Sequence, residues 1–260
     1  MQGRAADEDA MTDISYQLYS SRHQPLETTL SMLAETGYTQ VEGHGGLFTG
    51  GLDPAELRQA LDARGLRMTT AHMALEMVEG DPLGTVELAR ALGIGTVFVP
   101  SLAAQERPTD AEGWVTFGRR LALAGKPLQT EGIGFGWHNH DFEFQVLDAA
   151  DRPLDLILSG GADLAWEIDA AWLHVAGEDP LEWIGRYAGR IPAAHVKDVA
   201  AEGASDEEGG WADPGHGVMD WPAIARALRE AGCRTFVVEH DDPSDDARFA
   251  RRAIETARAL

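Results

Sequence analysis

Nine histidines are spread along this 260-residue chain. Six of them, His44, His72, His138, His140, His195 and His240, stand at the downstream end of a short apolar or β-branched run. Glu42, Asp169, Lys197 and Glu239 occupy the same position in runs of the same kind. Imidazoles and carboxylates gathered at one place can do two kinds of chemistry. They can hold a divalent cation through mixed nitrogen and oxygen donors, and they can move protons as general acids and bases. Cys233 is the single cysteine, which excludes an internal disulfide, a cysteine-rich zinc site and dithiol exchange. Any metal must therefore be held by histidine and carboxylate. His138, Asp169, His195 and Glu239 fall on four consecutive runs and form a candidate metal-ligand set. In GFGWHNHDFEF the period-2 alternation puts His138 and His140 on the same side of the chain, so either can point at a shared centre. The other reading of His140 is a group that hydrogen-bonds the substrate or supports a ligand.

Lys197 is chemically selective, because the chain carries two lysines against nineteen arginines. Its functional reading is a cation facing a substrate oxygen. The alternative is a buried ion pair with Asp198 or a neighbouring carboxylate. Trp137, Trp166, Trp172 and Trp211 fall near the same chain ends, and aromatic faces stack on sugar rings. Trp166 reads better as core filling, whereas Trp172, Glu42 and His72 are candidates for substrate binding together with His140 and Lys197.

These residues need a scaffold that brings many chain ends to one face. A unit recurs in which an amphipathic run ends in Gly and is followed by a short β-branched run: LAETG-YTQVEGH, LDARG-LRMTTAH, ARALG-IGTVFVPS, LQTEG-IGFGWHNH and LREAG-CRTFVVEHD. Gly37, Gly65, Gly93, Gly132 and Gly232 sit where a helix terminus calls for positive φ. Asp53-Pro54, Asp81-Pro82 and Asp179-Pro180 supply an N-cap followed by proline in the first turn. The pattern predicts strands near 14–20, 39–44, 67–72, 96–101, 133–140, 163–169, 193–198 and 235–241. Helices are expected near 25–36, 54–64, 82–92, 110–125, 152–159, 180–188, 221–231 and 245–259. Strict alternation implies parallel strands with crossovers, and eight such units close into a (β/α)8 barrel. An open doubly wound sheet usually has a glycine-rich phosphate loop after its first strand, and ISYQLYSSRHQP has none. The barrel is expected over 13–260, with 1–12 as a flexible acidic tail. The acidic, glycine-rich loop 201–217 reads either as a lid or as a solvated excursion.

Composition narrows the partners. Apolar residues make up 44% and charged residues 25%, as in ordinary globular proteins. The formal charge of −22, from 43 acidic and 21 basic residues, disfavours nucleic acid, whose phosphates need a basic surface. No run of 18 apolar residues marks a membrane span, and MQGRAADEDAMT lacks the apolar stretch of a signal peptide. A cytoplasmic protein without membrane partners is the expectation. The oligomeric state is left open.

The stretches GFGWHNHDFEF, DAAWLHVAGEDPLEWIGRYAGRIPAAHVKD and GHGVMDWPAIARALREAGCRTFVVEHDDP resemble the sugar phosphate isomerase/epimerase family, the xylose isomerase-like TIM barrels. The resemblance spans nearly the whole chain and is a weak guide to substrate. Relatives in that superfamily include inosose dehydratases, ketose 3-epimerases, hydroxypyruvate isomerases and, more remotely, endonuclease IV. The resemblance implies a divalent metal, manganese first with magnesium, cobalt or zinc as alternatives, held by Glu, Asp, His and Glu from strands five to eight. The last three fall on Asp169, His195 and Glu239. The first falls on or next to His138, where WHNH replaces the LEN or LEP of the epimerases. It further implies an isomerase, epimerase or inosose-type lyase acting on a sugar or cyclitol through a metal-stabilised enediolate. Glu239 would be the base, His138 or His140 the opposing acid or base, and Lys197 the oxyanion partner. The rivals are a non-catalytic sugar-binding barrel and an endonuclease IV-like phosphodiesterase.

Overall fold

The computed structural model describes residues 12–51, 53–147, 151–204 and 206–260. Apart from Thr12, the expected tail lies outside them. Eight strands close into one barrel: β1 (Asp13–Gln17), β2 (Gln40–Gly43), β3 (Arg67–His72), β4 (Thr96–Val99), β5 (Gly134–His138), β6 (Ala165–Asp169), β7 (Ala193–Val196) and β8 (Thr235–Val238). Every barrel pairing is parallel, and β8 closes on β1 through Asp13↔Thr235 to Tyr16↔Val238. The eight expected strands are all present. Six of them end one to three residues earlier than expected because the polar residues that follow turn into loops, with Lys197 and Glu239 just past β7 and β8 and His140 two residues past β5, whereas β3 and β6 end at His72 and Asp169 as expected.

The main helices are α1 (Leu26–Thr36), α2 (Pro54–Asp62), α3 (Pro82–Leu92), α4 (Ala111–Ala124), α5 (Pro153–Ser159), α6 (Pro180–Arg186), α7 (Trp221–Glu230) and α8 (Asp246–Ala259). Their caps are those expected from the sequence. Asp53, Asp81 and Asp179 accept backbone N–H groups at 2.8–2.9 Å, and all five expected glycines have positive φ. Short helices at Gly45–Thr49, Leu75–Gly80, Lys126–Thr130 and Ala170–Val175 were not anticipated. Five or six residues are too few to show a helical period.

Alternation along the strands builds two different interiors. Outward positions such as Val97, Phe135, Trp166, Ile168 and Phe236 pack under the helices in the large apolar core. Inside the barrel the apolar cluster is small: Phe98, Ala193 and Val237, with Ala165 against them. Most other inward positions are polar and buried, among them Gln17, Glu42, His72, Glu167, Asp169 and His195. Buried polar groups need partners or a bound ion, so the barrel interior is built for chemistry at a cost in stability.

Loop 201–217 is tied to the barrel. Residues Asp198–Val199 pair antiparallel with Trp211–Ala212. The Asp198 carboxylate accepts from the backbone of Val199, Gly215 and Met219 at 2.8–3.1 Å. Asp213 accepts from Arg248 and Arg252 of α8 at 2.9 and 3.0 Å.

Candidate active site and metal centre

Because the strands are parallel, their C-terminal ends share one face, and there a cavity of about 590 Å³ opens. Tyr19, Arg22, His44, His72, His138, His140, Glu239 and Asp241 are among its lining residues. Five of the six strand-end histidines are therefore at or above this site: four line the cavity and His195 is buried in its floor. His240 is the exception. Its Nδ1 accepts from the Asp242 N–H at 3.1 Å and its ring lies edge-on to Phe249, 5.7 Å away, in the layer under α8.

Asp169, His195 and Glu239 each offer a ligand atom within 4.8 Å of the others. Asp169 ends β6 and also caps the helix 170–175. Its Oδ1 accepts from the N–H groups of Ala171 and Trp172 at 2.9 and 3.1 Å. That leaves Oδ2 buried, without a partner and 4.0 Å from His195 Nδ1. Glu239 Oε2 is 3.0 Å from the same Nδ1. An orphaned carboxylate oxygen, an imidazole nitrogen and a second carboxylate oxygen converge on one point, which is the donor set a divalent cation takes. The residues present fit a metal.

His138 belongs to a deeper group. His72, His138, Glu167 and His195 have donor atoms within 4.8 Å of one another, with Glu167 Oε2 2.6 Å from His72 Nε2 and 3.1 Å from His138 Nδ1. The ring centroids of His138 and His195 are 4.3 Å apart, and His195 is the residue that this group shares with the Asp169 group. Glu167 was not among the residues expected from the sequence, because only the last residue of each strand stood out there. It lies two residues before Asp169 and therefore on the same inner side. Glu42, expected to bind substrate at the rim, is instead fully buried below the cavity, where it accepts from Gln17 Nε2 at 2.7 Å.

The HNH stretch is divided in use. Asn139 Oδ1 accepts from Trp166 Nε1 and the Asp169 N–H at 2.9 and 3.0 Å, tying β5 to β6. His140 faces the cavity with Nδ1 buried and unpartnered, and its ring is 5.4 Å from that of Trp172. Glu143, also missed, accepts from Trp137 Nε1 at 2.8 Å and from the His140 N–H at 3.0 Å, so it sets the turn that carries His140. Trp137 is consequently a core residue and not a sugar platform; Trp166 is in the core as expected. Gly136 lets β5 and β6 close up here, since a Cβ on it would lie 2.0 Å from the Ala165 carbonyl oxygen.

Lys197 is buried among carboxylates, 2.6 Å from Asp241, 3.4 Å from Glu239 and 4.0 Å from Asp169. Asp198 has no part in this, being committed to the loop backbone. The ammonium also lies 5.0 and 4.2 Å from the ring centres of Trp172 and Trp211. Burial opposes its charge, but the carboxylates outweigh burial and hold its pKa above the usual lysine value. Burial would likewise raise Glu239, yet Lys197 and His195 hold it well below the usual carboxylate range. Burial pushes Asp169 up to about 6 against the pull of Lys197 and His195. His140 is driven down to about 3 by burial and by Lys197, so its ring is neutral at pH 7.

Residues 30–260 match the sequence profile of the xylose isomerase-like TIM barrel. The chain belongs to this family. It is similar to the rhizopine catabolism protein MocC of Rhizobium meliloti, with 27% identity over 82% of this chain and 74% of that one. It is also similar to inosose dehydratase of Lacticaseibacillus casei, with 24% identity over 72% of each. A sugar phosphate isomerase/epimerase structure from Parabacteroides distasonis superposes with a TM-score of 0.81 at 21% identity, over 98% of this chain and 96% of that one. The zinc-bound IOLI protein superposes at 0.73 and 17% identity, over 96% of each chain. As expected from the residues, the fold is the (β/α)8 barrel of this family. No helix among the described residues is long and apolar enough to cross a membrane.

Proposed function

We propose that the protein is a metal-dependent enzyme that removes a proton next to a carbonyl of a sugar or cyclitol. The observation that carries this reading is the convergence of Asp169 Oδ2, His195 Nδ1 and Glu239 Oε2 under the cavity, with a buried ammonium beside them. Asp169, His195 and Glu239 would hold the ion, with His138 as the fourth candidate. A divalent metal bound there would polarise a carbonyl and its neighbouring hydroxyl, making the intervening carbon more acidic.

The protein's own groups supply the rest. Glu239 is kept ionised by Lys197 and lines the cavity, so it is the favoured proton acceptor. His140, neutral and lining the cavity, can give or take the second proton. Lys197 is 3.4 Å from Glu239 and places positive charge next to the reacting oxygen. Trp172 and Trp211 cover Lys197 and keep water from it. The same proton removal serves isomerisation, epimerisation, or loss of a β-hydroxyl as water. The similarity to MocC and to inosose dehydratase supports a neutral cyclitol or keto-sugar as substrate. Zinc in the IOLI protein supports zinc beside manganese as the ion.

The test is exchange of the hydrogen α to the ketone with solvent. A panel of inososes and keto-sugars is incubated in heavy water with manganese or zinc and followed by NMR. The native protein is expected to incorporate deuterium into at least one of them, and Glu239→Gln to lose exchange by at least about 10²-fold, the usual scale of a general base. Undiminished exchange in Glu239→Gln removes Glu239 from this role. A metal-loaded native protein with no exchange on any member points to the non-catalytic sugar-binding barrel.

A further inference from the structure

The hydrogen-bond pattern beneath the candidate metal centre shows which nitrogen of each ring donates, starting from a backbone group whose role is fixed. The Tyr19 N–H can only donate, and it lies 3.1 Å from Gln17 Oε1. The Gln17 amide must then turn its NH2 the other way, where it donates to Glu42 Oε1 at 2.7 Å. Glu42 Oε1 is thereby an acceptor, and its second neighbour, His195 Nε2 at 2.8 Å, has to be an N–H. Glu167 Oε2 lies 3.3 Å from the same nitrogen. His195 Nδ1 is the nitrogen that faces Glu239 and Asp169, and a cation bound there would take its lone pair from a ring that keeps its single proton on Nε2.

His138 is set by the same layer. Its Nδ1, 3.1 Å from Glu167 Oε2, donates, so Nε2 is the lone-pair nitrogen of a ring that lines the cavity. The Gln17 NH2 is also 3.5 Å from His72 Nδ1, which marks that nitrogen as an acceptor and His72 Nε2, 2.6 Å from Glu167, as the donor. A second ion placed among His72, His138, His195 and Glu167 would take the Nε2 of His195 as well. The ring would then have to give up both of its protons. One ion above and an acceptor layer below is the arrangement that a neutral imidazole allows.

We infer that Glu42 and Glu167 are positioning residues for the metal: they hold His195 as its Nε2–H tautomer, so that Nδ1 is offered to the cation, and His138 as its Nδ1–H tautomer, so that its Nε2 keeps a lone pair at the cavity. This rests on the reading that Asp169, His195 and Glu239 bind the ion. Partners of this kind are worth roughly 10–100-fold in metal affinity in other sites. Gln17 belongs to the same chain of bonds, because its NH2 and the His195 Nε2–H share one oxygen, Glu42 Oε1.

The experiment measures zinc stoichiometry and affinity against a competing chelator for the native protein, Asp169→Ala, Glu42→Gln and Glu167→Gln. Long-range ¹H–¹⁵N NMR of the zinc-loaded native protein reads the histidine tautomers directly. The expected result is one tightly held zinc, lost in Asp169→Ala and weakened about 10–100-fold in each glutamate variant, with His195 protonated on Nε2. If Asp169→Ala loses zinc while folded Glu42→Gln and Glu167→Gln keep native affinity, the inference fails and the metal reading stands. An Nδ1–H signal for His195 overturns it in the same way, and needs no variant to fold. Two zinc ions per chain, one of them lost in Glu167→Gln, would make the deep cluster a metal site and overturn the positioning role. A native protein that binds no zinc and no manganese overturns both readings.

Discussion

Asp169 shows how one carboxylate can be committed before any ligand arrives. Its Oδ1 is spent on two N–H groups of the helix 170–175, so rotation about the side chain is blocked and Oδ2 is presented alone. Asp169→Asn is therefore expected to keep the cap through its amide oxygen and put an NH2 donor where the ligand oxygen stood. Metal analysis should show loss of the ion with the far-ultraviolet circular dichroism unchanged, whereas Asp169→Ala should also lose about 1 kcal/mol of cap stability. Retained metal in Asp169→Asn counts against this division of labour. Asp169, His195 and Glu239 were legible because each stands at a strand end after an apolar run. Glu167 and Gln17 were not, since nothing local distinguishes an inward polar residue one layer down from a solvated one. His240 was grouped with the site because its strand-end position says nothing of the side on which it falls once β8 has ended. Cys233 gives a second expectation at this scale. Burial in the apolar core pushes its thiol up to about 12, and its Sγ meets the backbone carbonyls of Pro192 and Thr235 at 3.8 and 3.5 Å. Ellman's reagent at pH 8 should find no reactive thiol in the native protein and one per chain after denaturation.

At the scale of elements, the helices and strands were readable because capping aspartates, terminal glycines and period-2 runs agree with one another. Loop 201–217 was not, because its two readings differ only in what it is tied to. The tether is a set of charges on α8: Arg248 reaches Glu208 at 2.7 Å and Asp213 at 2.9 Å, and Ser244 donates to Glu208 at 2.6 and 2.7 Å. These bonds bring Trp211 over Lys197. Burial would raise the Glu208 pKa, but the Ser244 and Arg248 bonds outweigh it and bring the group down to about 2. A depressed carboxylate contributes stability that is full above its unfolded value, near 4.5, and is lost as pH falls toward its folded value. Thermal melts of the native protein and Glu208→Gln should accordingly differ most above about pH 4.5 and converge as pH approaches 2. A constant offset across that window would mean that Glu208 acts without its charge. Asp213→Asn, which removes the charge facing Arg252 and one of the two facing Arg248 at a nearly buried site, should cost about 1–3 kcal/mol and speed proteolytic nicking within 201–217.

For the whole molecule the governing quantity is the charge of −22. The site itself keeps its anions in check: Lys197 answers Asp169, Glu239 and Asp241, and the ring N–H groups of His72 and His195 face Glu167 and Glu42. Arginines pair with surface carboxylates, as Arg58 does with Asp62 and Arg120 with Glu79. With 43 acidic residues against 21 basic ones, many carboxylates have no cation to meet, and they repel one another across the surface. Two salt effects therefore compete. Added salt weakens exposed ion pairs, each worth about 0–1 kcal/mol, and it screens the excess negative charge over distances beyond about 10 Å at 0.1 M. Screening of the excess charge wins here, because the unpaired acids outnumber the exposed pairs that salt could weaken. The melting temperature is thus expected to rise by several degrees between about 10 mM and 0.3 M sodium chloride, where one kcal/mol corresponds to about 2–4 °C for a domain near this size. A flat or falling curve would show that surface ion pairs, and not self-repulsion, dominate. The same field opposes a polyanion at the cavity mouth, where Glu239, Asp241 and Asp242 stand beside a single arginine, Arg22, that is itself paired to Asp242. Short duplex DNA should accordingly fail to bind at about 10 mM salt, the condition most favourable to phosphate contacts, and binding there would revive the phosphodiesterase alternative.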